Sequence, residues 1–357
     1  MKKLIALLLV LVMVCAMTVS MAGCNKNDGK LYIPVMAKGE QHQFWQVVKK
    51  GAQDAATKLG VEIYFAGPAS ESEIDKQVDM IRTEMAKNPK ALALAALSTE
   101  AVKEILAECA EKNIPVIGFD SGVPGDTSGA VKATASTDNA AAAAIAATKF
   151  GEHAGLKAAM QAATVEKPVI IACLSQDATS ASVVGRTQGF IDKMYEIASQ
   201  YGTAAITGND KYLKGDASKA SIIIEVAVSA TPNAVDVQTA ANGVLAKENL
   251  IAMFCSNEGA VTGFLAATAD GSDLAKGGKY EGLVVAGFDA GAAQKKAVRD
   301  GLFLGSVTQD PYRIGYLAVE MAVAAAKGET VKDMDTGAKW YDASNIDADD
   351  IKDLVYD

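Results

Sequence analysis

Short apolar runs alternate along the chain with longer segments in which apolar positions recur every three or four residues. That is the pattern of buried strands followed by amphipathic helices. The first such unit sets the scheme. Residues 31–37 form an apolar run of strand type, 38–43 a polar loop, and from Phe44 the period changes. Phe44, Val47, Val48, Gly51, Ala52, Ala55 and Leu59 make one apolar helical face, and Gly60 stands where glycine favours helix termination. Residues 61–65 are the next strand. A strand–helix–strand unit of this kind predicts a parallel sheet with a right-handed crossover.

The alternation continues. A helix over about 72–87 carries Ile74, Val78, Ile81 and Met85 and is stopped by Asn88-Pro89. A strand at 91–97, a helix marked by Val102, Ile105, Leu106 and Cys109, and strands at 114–120 and 131–136 follow. An alanine-rich helix then begins, with Asp138 or Asn139 placed to cap it. A second set opens with a strand at 168–174, the polar loop 175–180, and a helix bearing Val184, Phe190, Met194 and Ile197. Residues 202–220 read as an irregular excursion. Strands at 221–228, 250–255, 283–289 and 302–307 alternate with helices over 233–247 and around Val261, Phe264 and Leu265. A last helix carries Ile314, Leu317, Met321 and Ala325; the tail from Lys339 is strand-like, then polar and acidic.

One internal echo stands out. Gly118-Phe-Asp-Ser-Gly122 and Gly287-Phe-Asp-Ala-Gly291 each close the fourth strand of their set. The same pattern at the same place predicts two lobes of one architecture, each presenting an aspartate at a strand's carboxyl end. Ligands bind at those ends in open α/β sheets.

Composition adds the cellular setting. Lys2 and Lys3 precede an apolar stretch at 4–14, and Met21-Ala-Gly-Cys24 closes the leader. Residues 1–23 therefore read as a secretory signal, and 24–30 as a short polar tether. The alternative is an uncleaved anchor, since 4–22 is long enough to span a bilayer. About 330 residues remain, more than one core usually serves. The net charge of −9 becomes −11 once Lys2 and Lys3 leave with the signal, which argues against nucleic acid as a partner. Cys109, Cys173 and Cys255 sit in apolar settings and read as buried free thiols; a Cys173–Cys255 bridge is the lesser alternative, as the two end strands that could be neighbours.

Candidate chemistry gathers at strand ends. The first loop offers Lys38, His42, Phe44 and Trp45, with Trp45 about 100° round the helix from the core stripe. The phosphate-cradling glycines of a nucleotide site are absent, as is a nucleophile elbow. His42 and His153 have no ligand partner at metal-site spacing, so neither a metal, a cofactor nor a catalytic residue is expected. The enzyme alternative rests on Asp120 and Asp289 as a carboxylate pair for glycoside hydrolysis.

Taken in order, these motifs resemble a known family: type 1 periplasmic binding proteins of the ribose-binding kind, which serve sugar ABC transporters. The resemblance rests on His42-Gln-Phe-Trp45, Gly118-Phe-Asp-Ser-Gly122, Ser136-Thr-Asp-Asn139, Gly185-Arg186 leading to Gly189-Phe190, Cys255-Ser-Asn-Glu258, Gly287-Phe-Asp289 and Gln309-Asp-Pro311. Met21-Ala-Gly-Cys24 resembles a bacterial lipobox, which implies cleavage before Cys24 and a lipid on its sulfur. The resemblance further implies an α/β fold of two Rossmann-like lobes with parallel sheets joined by three hinge crossings, near 136–138, Gln309 and Gly337. The lobes would be 31–136 plus 311–337, and 138–309 plus 338–357.

The site that the resemblance implies has Phe44 and Trp45 as the paired aromatics that sandwich a sugar ring, with His42 just before them. Asp120, Arg186, Asn257, Asp289 and Gln309 are its polar contacts. Ser121 replaces the arginine that ribose binders carry after the first aspartate. Their second-lobe aromatic falls near Thr231, which leaves that stacking face without a ring. Lys38 sits where receptors for the signal autoinducer-2 have a ligand-touching lysine, and Asp177 is added from the loop at 175–180. The expected protein is an exported monomer, lipid-anchored to the outer face of the cell membrane or periplasmic. It would capture a small sugar or sugar-like polyol and deliver it to an ABC permease. A signal receptor or chemoreceptor of the same fold is the alternative. Aromatic faces suit the C–H side of a sugar, and charged and amide groups suit its hydroxyl rim.

Overall fold

The computed structural model describes residues 30–356, so the leader and Cys24 lie outside the described residues. Two sheets organise the chain. The first holds β1 (Tyr32–Met36), β2 (Glu62–Ala66), β3 (Leu92–Leu94), β4 (Val116–Phe119) and β5 (Val131–Ser136), with helices α1 (Gln43–Leu59), α2 (Ile74–Met85) and α3 (Lys103–Glu111) between them. After α4 (Asn139–Glu152) and α5 (Ala154–Ala162) the second sheet begins. It contains β6 (Val169–Ser175), β7 (Ala204–Gly208), β8 (Ile222–Val228), β9 (Leu250–Cys255), β10 (Val284–Phe288) and β11 (Gly305–Gln309). Helices α6 (Ala181–Ala198), α7 (Ala234–Leu245), α8 (Glu258–Ala267) and α9 (Ala292–Arg299) alternate with these strands. Helix α10 (Pro311–Ala326) then returns to the first sheet, where β12 (Met334–Asp335) adds an edge, and β13 (Ala338–Tyr341) goes back to the second.

The strand orders are β12-β5-β4-β3-β1-β2 and β13-β11-β10-β9-β6-β8-β7. All pairings are parallel except β11 with β13. Both sheets are covered on their two faces, which is why β3, β4, β6 and β9 are runs of apolar residues without alternation. Strand order reverses at β1 in one sheet and at β6 in the other, and loops leaving those strands meet in the cleft. The chain crosses between the lobes three times, after β5, after β11 and between β12 and β13.

Two glycines fix how α10 seats on α1. A Cβ on Gly51 would lie 2.0 Å from the Tyr312 carbonyl oxygen, and one on Gly315 would lie 1.9 Å from that of Val48. Only glycine at both positions allows the two backbones to approach this closely. The helix that follows the second crossing is thereby bound to the helix that carries Phe44 and Trp45.

Residues 202–220 differ from the expected irregular excursion. Ala204–Gly208 is an edge strand on β8, followed by two 3-10 turns over Asp210–Tyr212 and Ala217–Lys219. Its alanines and short length carry little strand signal, and pairing with β8 supplies the order. The Cys173–Cys255 alternative is also corrected. Cys173 pairs in register with Phe254 and Cys255 with Leu174, a one-residue offset that puts the two side chains on opposite faces of the sheet. Cys109, Cys173 and Cys255 are buried free thiols.

Candidate functional site

The cleft is built from strand ends. Lys38 follows β1, Glu71 follows β2 and Asp120 follows β4, all from the first lobe; Asn257 and Glu258 follow β9, Asp289 follows β10 and Gln309 ends β11. With His42, Phe44, Trp45 and Arg186, these residues line one small cavity between the lobes. Its volume is about 20 Å³. That is room for roughly one water, so the side chains themselves fill the closed cleft.

The two echoed aspartates share a backbone peculiarity. Asp120 has φ of 51° and Asp289 of 71°, in the left-handed region that non-glycine residues avoid. Each is held by hydroxyls from the neighbouring strand. Ser136 Oγ donates to the Asp120 carbonyl at 2.5 Å. The Asp289 carbonyl accepts from Ser306 Oγ at 3.1 Å, Gln294 Nε2 at 2.9 Å and Tyr341 OH at 2.9 Å. The turn aims both carboxylates into the cleft.

Two buried cations neutralise part of that charge. Lys38 Nζ stands 3.2 Å from Asp120 Oδ2 and donates to Ser182 Oγ at 3.2 Å. Burial works against its charge, but the carboxylates of Asp120, Glu71 and Asp177 outweigh it and hold the ammonium above its ordinary range. Arg186 Nη1 reaches Asp289 Oδ2 at 3.1 Å, Nη2 lies 3.7 Å from Asp120 Oδ1, and Nε donates to Asn139 Oδ1 at 2.7 Å. The guanidinium carbon stands 3.9 Å from the Phe288 ring centroid. Gln309 Nε2 donates to Asp289 Oδ1 at 2.8 Å, and its Oε1 accepts from Thr137 Oγ1 at 2.9 Å. Thr137 Oγ1 is also within 3.2 Å of Thr336 Oγ1 and 3.3 Å of the Gly337 carbonyl, so one hydroxyl touches all three crossings.

The aromatic pair is arranged differently from a ring sandwich. Phe44 and Trp45 contact each other edge to face, with centroids 5.0 Å apart and planes at 84°. Successive residues on one helix turn are about 100° apart and so present a corner rather than two opposed walls. The Trp45 indole N–H donates to Glu71 Oε1 at 2.8 Å. Glu71 Oε2 accepts from Gln176 Nε2 at 2.8 Å, and Gln176 Oε1 accepts from Asn257 Nδ2 at 2.9 Å. Asn257 also caps α8 through Oδ1 and the Ala260 N–H at 3.0 Å.

Of the residues read from the sequence, Ser121 and Asp177 stand behind the cavity wall rather than on it. Ser121 Oγ lies 2.6 Å from Ser182 Oγ. Asp177 accepts from the Thr179 and Ser180 backbone N–H groups and from Ser180 Oγ, which shapes the loop before α6. Sequence reasoning passed over Glu71, Gln176, Ser182 and Glu258. Glu258 belonged to a motif already singled out, whereas Glu71 lies in a loop with no periodic pattern.

Burial lifts the Glu258 carboxyl above the usual range, against the pull of His42 and the Phe44 and Gln43 amides. Burial pushes Glu71 the same way, but Lys38 and His42, with the Trp45 and Gln176 hydrogen bonds, prevail and leave it lowered. Among the described residues no cluster of His, Cys, Asp and Glu is arranged to hold a metal ion. The site offers carboxylate and amide oxygens, amide and guanidinium N–H groups and two aromatic rings. Those are groups that can hydrogen-bond the hydroxyls of a polyol and cover its C–H face. A larger groove of about 500 Å³, around His153, Lys247 and Lys279, lies at the amino ends of β9 and β10, away from this chemistry.

Comparison with known proteins identifies the family and the fold. A family model described as a periplasmic binding protein domain matches residues 33–330. The D-allose-binding periplasmic protein of Escherichia coli (strain K12) is 26% identical over 305 residues, covering 84% of this chain and 86% of its own. Among solved structures, one titled "ABC transporter, LacI family transcriptional regulator from Brachyspira murdochii" is 41% identical at a TM-score of 0.76, covering 93% of this chain and 100% of that one. A carbohydrate transporter solute-binding protein from Agrobacterium radiobacter, in complex with D-arabinose, is 26% identical at a TM-score of 0.74, covering 92% and 99%.

Proposed function

Because the chain belongs to the periplasmic binding protein family, we propose that it captures a small sugar or sugar-like polyol between its lobes and hands it to an ABC permease. It is a binding protein and not an enzyme. One observation carries the reading: Phe44, Trp45, Asp120, Arg186, Asn257, Asp289 and Gln309 converge on a single cavity from strand ends and helices of both lobes. A ligand there touches both lobes at once, so its binding energy selects the closed arrangement. The small closed volume means that the lobes part to admit a sugar, and that Lys38 and Arg186 exchange some protein partners for ligand hydroxyls. Such a site rejects an analogue lacking one hydroxyl, because a buried polar group is then left without a partner.

The same reading assigns 31–136 plus 311–337 to one lobe and 138–309 plus 338–357 to the other. Ser121 and Asp177 support the site from behind. Cys24 carries a lipid that anchors an exported monomer to the outer face of the membrane after removal of residues 1–23. Among the described residues no helix is long and apolar enough to cross a membrane. A second reading, a receptor for an autoinducer-2-type signal, is favoured by one observation: Lys38 lines the cavity and spans Asp120 and Ser182.

A thermal-shift screen tests both readings. The panel holds D-allose, D-arabinose, ribose, other hexoses, polyols, nucleosides and autoinducer-2. A ligand at a hundred times its Kd stabilises by ~2.7 kcal/mol. A sugar that shifts the melt, with the shift lost in Trp45→Ala, supports capture of that sugar. A response to autoinducer-2 alone supports the signal reading, and no response across the panel overturns both.

A further inference from the structure

Two helices that face each other across the cleft lack side-chain caps of their own. His42 at the start of α1 makes no side-chain cap hydrogen bond, nor does Gly291 at the start of α9. Each end is satisfied from the opposite lobe. The Glu258 carboxylate, at the first residue of α8, accepts from the backbone N–H of Gln43 at 3.2 Å and of Phe44 at 3.3 Å. Gln43, at the first residue of α1, returns the contact: its Oε1 accepts from the Ala292 N–H at 2.8 Å. The first N–H groups of a helix have no partner within it and carry the positive end of its dipole, so a carboxylate or amide oxygen there is stabilising.

The space for this exchange is provided by a glycine. A Cβ on Gly291 would lie 3.0 Å from Glu258 Oε1 and 3.1 Å from Gln43 Oε1. The second half of the echoed pentapeptide thus ends in a residue small enough for both side chains to pass.

We infer that Glu258 and Gln43 form a reciprocal latch that closes the cleft through protein–protein contacts alone and, in doing so, positions the helix turn bearing Phe44 and Trp45. The latch stands apart from the sugar reading, because every group in it belongs to the chain. It closes and opens as a unit: parting the lobes strips α1 and α9 of their caps together. It therefore sets how much of the protein is closed before any ligand arrives, and hence how much binding energy remains as affinity.

Hydrogen–deuterium exchange of the full chain without added sugar tests it, comparing wild type with Glu258→Ala, Gln43→Ala and Glu258→Gln. Loss of a cap corresponds to about fivefold faster exchange of the amides it protects. Glu258→Ala is expected to speed exchange at Gln43 and Phe44 in the other lobe and also at Ala292, which Glu258 does not touch. Gln43→Ala is expected to speed exchange at Ala292 and at Phe44. Glu258→Gln keeps one acceptor oxygen where the carboxylate supplies two, and is expected to retain protection at one of Gln43 and Phe44 and lose it at the other. Protection in β1 and β6 serves as the control for folding. If each Ala variant speeds only the amides that its side chain directly caps, the contacts are independent caps and the latch is refuted. It is equally refuted if neither variant changes exchange in the opposite lobe while β1 and β6 stay protected.

Discussion

Lys38 and Asp120 are paired at 3.2 Å within the first lobe, with side chains 5% and 2% exposed. Lys38 leaves β1 and Asp120 leaves β4, two strands of one sheet with β3 between them, so this pair lies within one lobe, whereas the Lys38 bond to Ser182 crosses to the other. Removing one member of a buried pair leaves an uncompensated charge, at a cost of about 3–5 kcal/mol. Lys38→Met is expected near about 3 kcal/mol, the low end of that range, because Arg186 also faces Asp120. Lys38→Met with Asp120→Asn should recover much of the loss, read from denaturant midpoints of the two variants.

Two carboxylates in the cleft have opposite effects as pH changes. Glu71 is lowered in the folded protein, so its contribution is present above the unfolded value of 4.5 and lost as pH falls through the folded value. Glu258 is raised, so its contribution is present below 4.5 and lost as pH rises through the folded value. Melting curves from about pH 4 to pH 8 should show Glu71→Gln falling further behind wild type as pH rises and Glu258→Gln gaining on it. Parallel curves for the two variants would contradict the assignment.

The glycine contact between α1 and α10 makes a packing prediction. The added methyl of Gly315→Ala meets backbone at 1.9 Å, which no rotamer change relieves. Overpacking of this kind costs about 1–3 kcal/mol, and the helices can relieve it only by moving apart. The expected result is a lower melting temperature together with a weaker sugar response, because Phe44 and Trp45 shift with α1. A lower melting temperature with the sugar response unchanged would show that the contact supports the fold alone.

Burial pushes the Cys109 and Cys173 thiols up to about 12 and carries Cys255 upward as well. All three should resist alkylation in the native protein and react on unfolding without reductant. Peptide mapping of the alkylated chain checks this. Failure of the Cys173 and Cys255 peptides to label after unfolding would mean that they are oxidised.

Where the sequence could be read, the cause is period and position. The β1–α1–β2 unit declared itself through a switch from a continuous apolar run to helical spacing, and strand ends located Asp120, Asn257, Asp289 and Gln309. Orientation beyond a strand end was less legible. Gln176 and Asp177 are adjacent, yet the first joins the network spanning the cleft and the second turns back to its own loop, a choice made by the path of the backbone. Glu71 was hidden for the same reason: its role comes from a neighbour 26 residues earlier, Trp45, which the fold brings to it. The 204–208 strand depends on β8 beside it, and no local pattern announces a five-residue edge strand that opens on two alanines and ends on a glycine.

Thr137 gathers all three crossings around one hydroxyl, and this has a mechanical consequence. In the proposed closure a rotation about these crossings would pivot beside Gln309, so displacements there would be short and those at the opposite mouth of the cleft long. Glu100 and Lys211, on different lobes, both line a groove between them. A pair of dyes placed there would convert occupancy into a change of distance whatever molecule is held, which makes the fold itself a transducer.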